Sequence, residues 1–225
     1  MIMVKLQHFF LMLPIFLNTI MVPLEQTIPL TGLPVYLDGR PPFIVQLTQD
    51  PLELFIEQVA KPQQSSSPVG LFHPVLLQAE IIQQPKNVPG FVSTDPQKLT
   101  QFSLAGQYGV TALLAHNYLM GQTFFKFQEG DILTIVYGDK TFQEYQIEEI
   151  RRYQALTPNS PYSKFVNLAD PDKKVITATD LFYEIYTQKD TLVLQTCIEK
   201  EGELSWGRIF IIARPIEAMT TYPIQ

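Results

Sequence analysis

The chain has 225 residues but a single cysteine, Cys197, with three histidines and one tryptophan. One cysteine allows no internal disulfide, no Cys-x-x-Cys redox pair and no cysteine-based zinc cluster. The histidines, His8, His73 and His116, are too scattered to form a closely spaced metal-ligand pair. Neither a GxGxxG fingerprint nor a P-loop is present, and Ser205 lacks the GxSxG setting of a nucleophile elbow. Positive charge clusters no further than Arg151-Arg152 and the net charge is −6, which argues against nucleic acid as a partner. No cofactor and no metal are expected.

What the chain does have is apolar residues, 46% of the total, enough to bury a real core. It opens MIMVKLQHFFLMLPIFLNTIMVPLEQT, with one cation at Lys5, an almost uncharged apolar stretch from Phe9 to Leu24 and a polar exit. This pattern predicts an export signal or a retained N-terminal membrane anchor over residues 1–25. The stretch is short for a membrane span of about 20 apolar residues and is interrupted by Pro14 and Asn18. A buried N-terminal helix is the bland alternative. An exported, extracytoplasmic protein with an odd cysteine holds either an intermolecular disulfide, a reactive thiol or a small buried hydrophobe.

Residues 26–74 are proline-rich and include the low-complexity "KPQQSSSP", which predicts a linker or loose extension, with a short helix in "DPLELFIEQVA" after Asp50. From 75 to 225 the signal is of short strands. The candidates are "VLLQAEIIQ" (Val75–Gln83), "VTALLAH" (Val110–His116), "ILTIVY" (Ile132–Tyr137), "TFQEYQIEEIRRYQ" (Thr141–Gln154), "LVLQTCIE" (Leu192–Glu199) and "RIFIIAR" (Arg208–Arg214). Gly138-Asp139 predicts a tight hairpin, and the strand spacing argues for a sandwich or closed barrel. Two helices are expected, one in "DPQKLTQFSLAGQYG" with Asp95 as its cap, the other in "TATDLFYEIYTQK" with Leu181, Phe182, Ile185 and Tyr186 on one face. The segment from Ala155 to Asp190 is long for a plain connection, as functional insertions are.

A cysteine nucleophile needs a base and an oxyanion stabiliser. His8 falls in the export segment and His73 reads as an exposed loop residue, whereas His116 ends an apolar strand and opens the polar turn "HNYLMG". Period-two alternation puts Leu192, Leu194, Thr196 and Ile198 on one face of their strand and Val193, Gln195, Cys197 and Glu199 on the other, so the thiol shares the more polar face. Arg208 starts the following strand. If the two strands pair as a hairpin, its guanidinium lies within reach of Cys197, where a cation favours a thiolate or an oxyanion. Glu148-Glu149 reads as the solvated face of a long strand.

The order of "LLAHN", "FKFQEGDILTIVYGDKTFQEYQI", "LVLQTC" and "WGRIFIIA" resembles that of the sortases, cysteine transpeptidases of the bacterial cell surface, over roughly Val75 to Pro215. The family's Thr-Leu-x-Thr-Cys pattern is matched here except that Val193 replaces the first threonine, and Ala115 stands where many sortases carry glycine. The resemblance implies a mainly β fold, a closed eight-stranded β-barrel with a few short helices and an active-site groove. It also implies catalytic roles for Cys197 as nucleophile, His116 as acid/base and Arg208 as stabiliser, with "EGD" at Glu129 to Asp131 a structural turn. The implied partners are a sorting-motif peptide of exported surface proteins, gripped by the Ala155–Asp190 region, and an amine acceptor. A noncatalytic peptide-binding module on the same barrel, or a secreted cysteine hydrolase using water, is the competing expectation. "IPLTG" at Ile28–Gly32 mimics a sorting motif but follows the apolar stretch instead of preceding one, so coincidence is the better reading.

Overall fold

The computed structural model describes residues 49–216. The expected export segment and "IPLTG" lie outside the described residues. Among the described residues no helix is long and apolar enough to cross a membrane.

Among the described residues ten strands form one sheet. They are β1 (Pro68–His73), β2 (Leu77–Gln83), β3 (Lys98–Gln101), β4 (Thr111–Leu114), β5 (Ile132–Tyr137), β6 (Phe142–Ala155), β7 (Phe165–Asn167), β8 (Val175–Ile176), β9 (Leu192–Lys200) and β10 (Glu203–Pro215). The order β10-β9-β4-β3-β2-β1-β5-β6 returns on itself because β6 also pairs with β10, from Gly207 opposite Gln154 to Pro215 opposite Tyr145. The result is a closed eight-stranded barrel with β7 and β8 appended to the far end of β6. Closure leaves the eight-strand ring with no open edge. The fold is therefore mainly β, with three short α-helices among the described residues: α1 (Pro51–Val59), α2 (Ser103–Gly106) and α3 (Ala178–Tyr186).

Alternation along each strand builds two layers. Leu71, Ile81, Leu99, Leu113, Ile135, Leu194 and Ile211 fill the barrel interior, and Phe124 and Phe127 pack with them. The outer face is apolar in two places, each covered by a helix. Under α3 lie Ala112, Val193, Phe210 and Ile212, met by Leu181, Ile185 and Tyr186. Under α1 lie Val69, Phe72, Val136 and Phe142, met by Phe55, Ile56 and Val59. Both helices are locally well specified. The Asp50 carboxylate accepts from the Leu52 N–H at 2.9 Å with Pro51 in the first turn, while Thr177 and Asp180 exchange hydrogen bonds in a capping box. The Thr177 hydroxyl and N–H hold the Asp180 carboxyl below its usual range.

Three sequence expectations are corrected. The folded unit does not begin at 75, because β1 sits in the barrel wall between β2 and β5 and α1 packs on it; among the described residues of 26–74, the stretch around Pro62–Ser67 keeps the irregular character expected. Its path is nonetheless fixed, since the Gly138 hairpin turn comes so close that a Cβ there would lie 2.3 Å from the Lys61 carbonyl oxygen. Second, most of "DPQKLTQFSLAGQYG" is not helical. Asp95 does accept from the Gln97 N–H at 2.9 Å, but this closes a turn into β3, where Leu99 inserts into the interior and β2 and β4 supply the ladder bonds. Pairing on both sides outweighs local helix preference and leaves only α2. Third, His73 is not a free loop histidine: its Nδ1 accepts from the Val75 and Leu76 N–H groups at 3.2 and 3.0 Å, and its ring meets the edge of Phe127.

Because α1 covers barrel surface, Ile56→Ala should lower stability by about 3 kcal/mol in denaturant titration. A loose extension would show no such loss.

Candidate active site

Strands β4, β9 and β10 lie side by side, and their residues form transverse rows on the outer face. Ala112, Val193 and Ile212 are register partners in one row, and Leu114, Gln195 and Phe210 in the next. The first row is buried under α3 and the second is partly covered by Tyr186. One step further along, Cys197 stands opposite Arg208. The parallel pairing ends with Leu114 beside Gln195, and His116 follows two residues later, just after the Ala115 N–H that donates to the Gln195 carbonyl. Of the three residues selected from the sequence, Cys197 and Arg208 are thus register partners on neighbouring strands about 4.8 Å apart, and His116 lies just past the end of the strand on the other side of β9.

The first rows also modify the alternation reading. The face carrying Cys197 is not polar along its length: Val193 is fully buried beneath α3, and the face opens only at Gln195 and Cys197. Cys197 itself is a half-buried free thiol.

His116 lies just past the end of β4, yet the chain there is firmly held. The Ala115 N–H donates to the Gln195 carbonyl at 3.2 Å, and the Thr196 hydroxyl, buried on the inner side of β9, donates to the Ala115 carbonyl at 2.8 Å. The chain then turns on the His116 carbonyl, which accepts from the N–H groups of Leu119 and Gly121, both at 3.0 Å. Gly121 is required by close approach, since a Cβ there would sit 2.3 Å from Thr196 Oγ1 and 2.7 Å from the His116 oxygen. The turn brings Tyr118 back over His116, with the rings stacked 5.0 Å apart at 19°. The side-chain amide of Asn117 donates to the Leu204 carbonyl at 2.9 Å, tying this loop to the β9–β10 hairpin.

Arg208 is anchored from its own strand. Its Nη1 donates to the carbonyls of Ser205 and Gly207 at 2.9 and 2.8 Å, where the β9–β10 register shifts between Glu203 and Gly207. Behind it, the buried Tyr186 hydroxyl donates to the Gln195 side-chain oxygen. Burial pushes the Tyr186 phenol well above its ordinary range, with the Arg208 charge opposing that shift, so the phenol stays protonated and remains a donor. Among the described residues no group of three or more His, Cys, Asp or Glu side chains is placed to hold a metal ion.

Thr196, Gly121, Tyr118, Asn117 and Tyr186 were not singled out as site residues by sequence reasoning. Thr196 carries a signal, as the threonine next to the cysteine in the sortase-like pattern, and Tyr186 was assigned only to the apolar face of its helix. Nothing local marks the other three.

No family model matches this sequence, and no curated protein matches it. Solved structures with a similar chain path include sortase C1 from Streptococcus suis, 13% identical, TM-score 0.46, over 76% of this chain and 88% of that one. Sortase A from Listeria monocytogenes is 12% identical, TM-score 0.43, over 68% of this chain and 91% of the other. Sortase C from Clostridium perfringens, solved with the C-terminal cell wall sorting motif, is 15% identical, TM-score 0.40, over 74% and 84%. What the site can do follows from this chain's own residues.

Proposed function

We propose that this protein is a sortase-type cysteine transpeptidase acting outside the cytoplasmic membrane, where residues 1–25 would export or anchor it. What supports this reading is the register pairing of Cys197 with Arg208 across β9 and β10, with His116 just past the end of β4, the strand on the other side of β9. A lone cysteine signals little, but one with an arginine opposite it and a histidine following the adjoining strand has the residue types that acyl transfer requires.

In this mechanism the Cys197 thiolate attacks a backbone carbonyl carbon of the sorting-motif peptide. Arg208 bears on the oxyanion that develops; with Nη1 committed to two backbone carbonyls, its remaining N–H groups are aimed by a fixed anchor. As the tetrahedral species collapses, the C–N bond breaks and His116 gives its proton to the departing amine, leaving a thioester on Cys197. An incoming amine then loses a proton to His116 as it attacks the thioester carbon, a new amide forms, and the Cys197 thiolate is released. Water in place of the amine gives hydrolysis with the same residues. The Ala155–Asp190 segment, which supplies β7, β8 and α3 beside this row, is the candidate for gripping the peptide.

Incubating the chain with a library of sorting peptides and an amine should give a thioester adduct on Cys197 by mass spectrometry and a transpeptidated product. Cys197→Ala should abolish both, and Arg208→Lys should lower kcat/KM by about 10²-fold. A thiol that alkylates normally but never acylates would overturn the transpeptidase; peptide binding without turnover would then mark a binding module.

The backbone packing behind His116 gives a second expectation. Gly121→Ala forces the turn away from Thr196 and moves His116 with it, so kcat/KM should fall by about 10²-fold while circular dichroism shows the barrel intact.

A further inference from the structure

Between Glu203 and Gly207 strand β10 leaves its ladders. Gly207 faces Ile198 on β9 and Gln154 on β6, but the next paired residue is Glu203, opposite Lys200, so Leu204, Ser205 and Trp206 stand against Glu199 alone. Such a bulge releases backbone carbonyls from the sheet, and they need other donors. Two of them are taken by side chains from the candidate site. The Leu204 carbonyl accepts from the Asn117 amide at 2.9 Å, and the Ser205 carbonyl accepts from Arg208 Nη1, also at 2.9 Å. Asn117 directly follows His116. Consecutive carbonyls of one irregular segment therefore receive the residue beside the histidine and the arginine itself.

We propose that Asn117 is a positioning residue for acyl transfer, which by holding Leu204 fixes the segment from which Arg208 is aimed; the inference rests on the transpeptidase reading above. Arg208 grips two carbonyls, and they are not equally steady. Gly207 is in register with both neighbouring strands, whereas Ser205 has no ladder partner on either side. Burial does not hold the segment either, since Leu204 is 48% exposed. Its place is set by hydrogen bonds from side chains. The Ser205 N–H donates to Glu203 Oε1 at 2.9 Å, Asn159 donates to Glu203 Oε2 at 3.2 Å, and Asn117 supplies the bond to the Leu204 carbonyl. Asn117 has a firm footing of its own, because the His116 carbonyl before it accepts from the Leu119 and Gly121 N–H groups, both at 3.0 Å. An oxyanion is stabilised only by donors held in place before the charge develops. Loosening one of the two carbonyls that Arg208 grips spreads its directions, which lowers catalysis and leaves peptide affinity alone. The amide is needed as a donor: an ionised aspartate has the same shape but only accepts, and it would face the Leu204 carbonyl oxygen.

The test follows acyl transfer on the full chain with the best peptide of the sorting library and triglycine as the amine. In Asn117→Ala kcat should fall about tenfold and in Asn117→Asp further, with KM for the peptide unchanged and circular dichroism showing the barrel intact. Lys140→Gln, which breaks the exposed pair with Glu57 on α1, serves as control and should keep the wild-type kcat. The deciding variant is the double, Asn117→Ala with Arg208→Lys. A lysine has no fork to aim, so the double should lose no more than Arg208→Lys alone, whereas independent effects would multiply to about 10³-fold. An unchanged kcat in Asn117→Ala, or losses that multiply in the double, with wild-type thioester forming normally, would overturn the positioning role and leave the transpeptidase standing. A wild type that forms no thioester with any peptide would overturn both.

Discussion

The candidate site depends on the parallel pairing of β4 with β9, and on its extension past the last ladder residue by the Thr196 hydroxyl. Without that bond the chain after Leu114 would keep the Ala115 N–H on the Gln195 carbonyl but lose its second tie to β9, just before His116. The Thr196 hydroxyl is buried and donates to the Ala115 carbonyl, so a group that would be costly to leave unpaired is instead used to hold two strands together. The side chain one position before Cys197 thereby fixes the backbone one position before His116. Cys197 and His116 are therefore tied through the same hydrogen bond, from opposite sides.

The barrel makes this possible by being apolar on both surfaces where it matters. Strand β9 begins with three successive buried residues, Leu192, Val193 and Leu194, because the interior takes two of them and α3 takes the third. Cover on the outer face then tapers along the strand, from Val193 under the helix to Gln195 under the Tyr186 hydroxyl to the half-buried Cys197. A thiol at this point is partly withdrawn from water yet open to a substrate. Removing α3 would leave the barrel closed but would expose Val193 and Phe210, and it would take away the Tyr186 hydroxyl that donates to the Gln195 side chain.

Much of this was legible in the sequence because it is carried by short-range pattern. Ile132–Tyr137 reads as a strand from composition alone, and Leu192–Lys200 and Phe142–Ala155 differ from expectation only at their ends. The α3 cap is a local signal, Thr177 with Asp180, and its apolar face follows from spacing. The pairing of Cys197 with Arg208 is a hairpin register: the Glu201-Gly202 turn, where both residues have positive φ, sets Lys200 opposite Glu203, and the irregularity between Glu203 and Gly207 then brings Arg208 opposite Cys197. What was not legible depends on partners distant in sequence. β3 is a strand because β2 and β4 flank it, and no property of "KLTQ" outweighs the helix-like start at Asp95 and Pro96. β1 was lost among prolines and serines, although Pro68–His73 is almost wholly buried. Its Gly70 makes sense only once α1 is seen lying on it, with Phe55 and Val59 carbons 2.8 Å from where a Cβ would be.

That last contact links the N-terminal part of the described chain to the barrel wall. Helix α1 could have packed anywhere on an apolar outer face, but the missing Cβ at Gly70 lets it settle directly on β1, at the level of Glu80 and Lys98. Its far side is pinned by the ion pair of Glu57 with Lys140 in the β5–β6 turn. The pair is exposed and contributes little stability by itself, yet it fixes the rotation of the helix and so the direction in which Phe55 and Val59 point. Two helices thus cover separate parts of the outer face: α3 closes it beside Gln195 and Phe210, and α1 rises beside Glu80. Cys197 and its register partner Arg208 belong to neither helix's apolar cluster.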